Sequence, residues 1–356
     1  MTREINYNLH DLLKFKIQTK SKLNLLRDIN FFFSYFECKE VQDPDIILKI
    51  GKFTPSNQDC TLVDHKYWIK DNYFYCKDQE GKAKWEVEIF GFASGRATIN
   101  FNGHVSGIEQ ILIPDYLAQN IILRPLIELK LFEKGYISIH GLGLEKDGDA
   151  YIFAARGGAH KTRIAMDLMR NGGYRLIGDD RMIVGKEYVF SYPLFFNLVR
   201  FRAENMDDEH ISTISDKLKM IGYLNSKEGG KKGTEIIADK SKLKKIFLIA
   251  RKEGQENLKC KTLNPEEFSK RIVNSNKMEM LSSGVSQLAF IPFMRYMLAY
   301  SYVFPESKIA RYWSNLKVKL KESLENIPLY QIDLPERYNE RYLEKMFSRI
   351  GGDLDE

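Results

Sequence analysis

Apolar positions along the chain change their period as it is read from one end to the other. From Leu23 to about Gly107 they alternate with polar positions in short runs, "IILKIGKF", "YFYCKD", "KWEVEIFG" and "RATINFNG", separated by Asp, Asn, Gly and Lys. A period of two broken by turn residues predicts a small β-rich domain, placed at residues 1–108. From Glu109 to Gly135 the period lengthens in "EQILIPDYLAQNIILRPLIELKLFEKG". That spacing predicts helices with a break near Pro125 and a C-terminal cap at Gly135.

Three segments then follow closely: "YISIHGLGLE", "DAYIFAARGGAHKTRIAMDLMRNGG" and "YRLIGDDRMIVG". The first reads as a strand. The second reads as a buried strand, a Gly-bearing loop and a helix capped by Gly172-Gly173, and the third as a strand ending at Asp179-Asp180. Strand, loop, helix, strand is the skeleton of a mononucleotide-binding unit. Further on, "YVFSYPLFFNLVRFR" and "KKIFLIARKEG" read as strands, "IARYWSNLKVKLKESLENI" as a helix, and "PLYQIDLP" as a last short strand.

The loop carries the candidate chemistry. A helix N-terminus leaves backbone N–H groups unpaired and bears partial positive charge, so a polyphosphate placed there meets ready donors. In the pattern G-x-x-x-x-G-K-[ST] the lysine reaches the β and γ phosphates and the hydroxyl binds magnesium. Lys161 and Thr162 hold those two places, while Ala155 and His160 stand where the pattern has glycine. The nucleotide-binding stretch is therefore read as Arg156, Gly157, Gly158, Ala159, His160, Lys161, Thr162 and Arg163. Asp179 and Asp180 follow at the next strand's end, and phosphoryl transfer uses carboxylates to hold magnesium and to orient or deprotonate the attacking hydroxyl. His140 shares a strand face with Tyr136, Ser138 and Leu142, and Gly141 and Gly143 beside it allow close approach of a ligand or another backbone.

Residues 138–184 resemble the catalytic core of the HPr kinase/phosphorylase-like family, which is related to phosphoenolpyruvate carboxykinases. In that family a His-bearing strand precedes the phosphate-loop strand, the loop opens a helix ending in Gly, and the next strand finishes in Asp-Asp. The resemblance implies an α/β fold, with a kinase core and helical C-terminal part at 109–356 beside the β-rich N-terminal domain. It implies catalytic roles for His140, Lys161 and Asp179: His140 at the reacting phosphate, Lys161 on the nucleotide phosphates, Asp179 as base. Thr162 and Asp180 would bind Mg2+, with the two aspartates open to exchange of roles.

The implied activity is transfer of the γ-phosphoryl group of ATP or another nucleoside triphosphate to a hydroxyl of a small molecule, peptide or protein serine. The Glu-x-Arg-Gly-x-Gly signature of true HPr kinases is absent after Asp180, which turns the expected acceptor away from HPr. The altered glycines keep open a non-catalytic, nucleotide-sensing role. A carboxykinase-like enzyme is a third reading, with Arg200 and Arg202 of "NLVRFR" as its suggested substrate pair. Self-association into a homo-oligomer is implied by the family alone.

Composition narrows the class without changing this picture. A chain of 356 residues with 44% hydrophobic content is long enough for about two domains with packed cores. A net charge of +6 from 54 basic and 48 acidic residues gives no reason to expect nucleic acid as a partner. The densest basic run, "GGKKGTEIIADKSKLKK", reads as a solvated loop and helix face. Cys38, Cys60, Cys76 and Cys260 show no zinc spacing, which suits reduced thiols in the cytoplasm. The N-terminal apolar runs are broken by charges, unlike a signal peptide. The longest apolar stretch, "QLAFIPFMRYMLAYSYVF", contains Pro292 and Arg295 and reads as a buried helix, with no membrane expected as a partner.

Overall fold

The computed structural model describes residues 3–19, 33–105, 117–156, 159–193, 236–255, 257–281 and 291–335. These form a mixed α/β structure, with two sheets and five α-helices among the described residues. The chain folds into two compact units, one built on Met1–Ile137 and Asn276–Val318, the other on Ser138–Pro193, Asn197–Ser275 and Lys319–Glu356.

The first unit holds a nine-stranded sheet. Its strands are β1 (Arg3–Leu9), β2 (Leu13–Thr19), β3 (Glu37–Cys38), β4 (Ile46–Ile50), β5 (Thr61–Val63), β6 (Tyr67–Lys70), β7 (Tyr73–Glu80), β8 (Ala83–Phe90) and β9 (Ala97–Val105). They lie in the order β3-β1-β2-β4-β9-β8-β7-β6-β5. The hairpin β1–β2 starts well before Leu23. Its inward residues Ile5, Tyr7 and Leu9 and Leu13, Phe15 and Ile17 alternate strictly with polar ones, and a turn with positive φ at His10 and Asp11 joins them.

A π turn, Gln119–Leu123, leads straight into α1 (Arg124–Glu133), so the break expected at Pro125 does not occur. The Arg124 N–H reaches back to the Gln119 carbonyl, and α-helical bonding restarts there. Pro125 thus falls in a first turn, where its missing N–H leaves no bond unmade. Gly135 has a φ of 90°, the left-handed geometry expected past a helix end. Helix α4 (Ile291–Val303) is buried along one face, with Phe293, Tyr296, Met297 and Tyr300 inward, and exposes Arg295, Leu298 and Tyr302 on the other, so the buried helix expected of this apolar stretch is buried on one side only. The Trp85 indole N–H donates to the Tyr296 hydroxyl at 2.7 Å. No helix among the described residues is long and apolar enough to cross a membrane.

The second unit holds an eight-stranded sheet made of β10 (Ile137–Lys146), β11 (Asp149–Ala154), β12 (Arg175–Gly178), β13 (Arg181–Val184), β14 (Tyr188–Phe190), β15 (Lys240–Lys252), β16 (Lys259–Thr262) and β17 (Leu329–Pro335). Strands β11, β15 and β17 are parallel, and β10 pairs antiparallel with β11 and β12. Helix α2 (Lys161–Gly172) packs Ile164, Ala165 and Leu168 into a core with Leu142, Phe153, Leu176, Phe247 and Ile332. Gly173 caps α2 in the left-handed region. Two further helices, α3 (Pro265–Leu281) and α5 (Tyr312–Ser323), carry residues of both units.

Two local readings are corrected. The lysine-rich run expected as a solvated loop and helix face is, over Lys240–Lys245, the start of β15. Ser241, Leu243 and Lys245 are buried and Lys240, Lys242 and Lys244 exposed, so the run follows a strand's period of two with one lysine on the inward face. The segment "YRLIGDDRMIVG" is two strands, with Asp179-Asp180 in the bend between β12 and β13.

Candidate active site

In open α/β sheets the crevice for ligands lies beyond the carboxyl ends of the parallel strands. Strand β11 ends there at Ala154, and its chain continues through Ala155 and Arg156 to Ala159, His160 and the first turn of α2. Gly157 and Gly158 lie outside the described residues, as do Arg200, Arg202 and the side chain of Thr162.

His160 adopts φ 55° and ψ 21° at the N-cap of α2, makes no side-chain cap, and accepts the Ile164 N–H at its carbonyl at 3.0 Å. This left-handed conformation is the one a glycine takes freely, so the chain keeps the backbone of a glycine position with another residue in it. The imidazole pKa is pushed below its ordinary value, first by burial and then by the charges of Arg251 and Arg163, which favours the neutral ring at pH 7. Arg251 lies near the carboxyl end of β15.

Lys161 is the first residue of α2, and its ammonium folds back on the loop it closes. Nζ donates to the Ala155 carbonyl at 2.6 Å and to the Arg156 carbonyl at 3.3 Å. It also stands 3.4 Å from Nε2 of His140. An ammonium has only protons to offer, so this ring nitrogen faces it as an acceptor. The ring proton then belongs on Nδ1, which lies 3.3 Å from Oδ1 of Asp180. Lysine, imidazole and carboxylate thus stand in a line drawn from the helix, a central strand and the β12–β13 bend. His140 is 7% exposed, and the Asp180 side chain 29%.

Close backbone packing makes this line possible. The Gly141 N–H, next to His140, donates to the Asp180 carbonyl at 3.1 Å. A Cβ at Gly141 would stand 2.7 Å from the Phe153 carbonyl oxygen, and one at Gly178 would stand 2.3 Å from that of Arg181. Only glycine lets the hairpin and the bend approach so closely.

The remaining expected residues are arranged differently. Asp179 is half-buried in the same bend as Asp180. Arg156 turns its guanidinium to the Ser275 carbonyl in α3, at 3.2 Å, and Arg163 is exposed on α2. Two residues escaped the sequence reading although each adjoins a motif that it recognised: Arg251 follows the strand "FLIA", and Arg181 follows the aspartate pair. No group of three or more His, Cys, Asp or Glu that would hold a metal by itself is found among the described residues. Magnesium usually takes one or two carboxylates and completes its shell with water and substrate phosphates. Two adjacent aspartates, one of them 3.3 Å from an imidazole nitrogen, fit that donor set.

No protein-family model matches the chain, and no curated protein matches it. Among solved structures it is similar to the Hpr(Ser) kinase/phosphatase from Coxiella burnetii, at 10% identity and a TM-score of 0.21, over 41% of this chain and 99% of that one.

Proposed function

We propose that the chain is a phosphotransferase that moves the γ-phosphoryl group of a nucleoside triphosphate, ATP in the first instance, to a hydroxyl. The observation that carries this reading is the line Lys161–His140–Asp180, three groups 21 and 40 residues apart along the chain from His140, meeting at a helix N-terminus. An ammonium, an imidazole and a carboxylate rarely converge in a partly buried site without a polar task, because each loses some hydration there.

In this reading the N–H groups at the start of α2 and the Lys161 ammonium hold the anionic phosphates. Lys161 is already tethered to the Ala155 and Arg156 carbonyls, so the loop and its cation are ordered together. Asp179 takes the proton of the acceptor hydroxyl as its oxygen forms the new bond to phosphorus and the bond to the nucleoside diphosphate breaks. His140 keeps Nδ1 within 3.3 Å of the Asp180 carboxylate and its other nitrogen toward Lys161. Asp180 and Thr162 would hold magnesium, which neutralises phosphate charge in such transfers.

The test is magnesium-dependent ATP turnover with a panel of serine, sugar and peptide hydroxyls, comparing the protein with Lys161→Ala. Loss of one preorganised donor to a developing charge costs about 100-fold or more. Equal turnover by the two proteins with every acceptor would overturn the reading.

A further inference from the structure

Arg181 opens β13 and is 1% exposed, among the largest fully buried side chains of the described residues. Its strand neighbours Met182, Ile183 and Val184 are equally buried, so an apolar residue would suit the surroundings better than a guanidinium. Burying a cation costs several kcal/mol unless good hydrogen bonds and opposite charge offset it, and apolar replacements of buried ions are often neutral for stability. Packing alone therefore does not account for an arginine here.

One of its contacts suggests what does. Nη1 donates to the Ser138 hydroxyl at 3.2 Å, and Ser138 lies two residues before His140 on β10. Residues two apart on a strand share a face. The adjacent pair Asp180 and Arg181 thus clasps two same-face positions of β10: the carboxylate meets His140, and the guanidinium meets Ser138. The bond from the Gly141 N–H to the Asp180 carbonyl completes a three-point fastening of the bend to the strand. A slip of one residue in the pairing of β13 with β10 would carry Asp180 and Arg181 away from His140 and Ser138.

We propose that Arg181 is a positioning residue, whose bond to Ser138 fixes the register of the Asp179–Asp180 bend against His140. This rests on the phosphotransferase reading only for its consequence in catalysis; the fastening itself is a statement about the fold. A guanidinium has five donors in a rigid fork, so an ammonium at the same place restores charge without that geometry.

The test uses the full chain with Arg181→Met, Arg181→Lys and Ser138→Ala. Amide exchange of the peptide covering Ser138–Gly141 should speed up about tenfold or more in Arg181→Met, with exchange across Ile152–Ala154 unchanged, because one local fastening is lost while the hairpin stays folded. With turnover, kcat should fall about tenfold or more while the nucleotide KM stays within about twofold, since the phosphate loop is untouched. Arg181→Lys should recover part of kcat, and Ser138→Ala should follow Arg181→Met more weakly. Unchanged exchange at Ser138–Gly141 overturns the proposal, as does a raised KM at constant kcat. If the unaltered protein shows no Lys161-dependent turnover, the phosphotransferase reading fails alone, and the exchange result still decides the role of Arg181.

Discussion

Replacing Gly178 by alanine puts the geometry of the site to a direct physical test. Gly178 ends β12 immediately before Asp179, and its φ lies outside the left-handed region, so the substitution acts through space alone. The added Cβ would stand 2.3 Å from the Arg181 carbonyl oxygen and 3.3 Å from its carbon. Both are backbone atoms across a two-residue bend, so no side chain can swing aside. Restoring a van der Waals distance opens the bend by about 1 Å.

Overpacking of that kind costs about 1–3 kcal/mol, or a fall in Tm of about 2–12 °C for a unit of this size. The larger effect falls on function, because a misplacement of 1 Å in a reacting constellation can cost about 100-fold in rate. The assay pairs a thermal melt with the acceptor-dependent ATP turnover that the proposed phosphotransferase would show. Gly178→Ser and Gly178→Val add little beyond alanine, since the Cβ itself makes the collision. A Gly178→Ala protein that melts within about 1 °C of the original and keeps its turnover would refute the packing assigned to the bend.

Further substitutions address single contacts. His160→Gly relieves left-handed strain of roughly 1–2 kcal/mol against a backbone entropy cost of about 0.5–1 kcal/mol, so its denaturant midpoint stays close to the original, whereas His160→Val is clearly destabilised; the reverse order would contradict the backbone conformation. Burial pushes the Glu145 carboxyl up, but the hydrogen bond from Arg175 at 2.7 Å, the Gly148 N–H and the Arg175 charge outweigh it and leave the pKa below the usual value. Such a group contributes stability above the unfolded pKa near ~4.3, lost as pH falls through the folded value. With the Arg175 side chain 54% exposed, Arg175→Met costs no more than about 1 kcal/mol at neutral pH, and the deficit fades at pH values below about 4. A deficit constant between neutral and acidic melts would exclude that pair as its source. Trp85→Phe removes the indole donor to Tyr296 and should cost about 1–3 kcal/mol by urea titration; an unchanged midpoint would mean that this buried bond contributes nothing net.

The local parts are legible in runs of contiguous residues. Strands β10, β11, β15 and β17 and helices α2, α4 and α5 were legible because each rests on the periodicity of contiguous residues, and Gly173 because a helix end needs a left-handed residue. The same logic missed the β1–β2 hairpin, whose alternation was present but whose turn, His10-Asp11, lacks the usual glycine. It misplaced a break at Pro125, because the π turn that moves proline into a first helical turn has no signature in hydrophobic spacing. It placed Lys240–Leu243 in a solvated loop and helix face, because lysine suggests exposure without naming the element that provides it.

Which polar groups meet is a matter of how distant strands pair. Lys161 reaching His140, His140 facing Asp180 and Arg181 turning to Ser138 depend on the pairing of β10 with β11, β12 and β13, and a register is a relation between distant segments. The left-handed backbone of His160 was likewise beyond the sequence, since imidazole at a glycine position is compatible with either a kept or an altered loop. A one-dimensional pattern records which faces are apolar; which polar groups then converge is set when those faces are buried against one another.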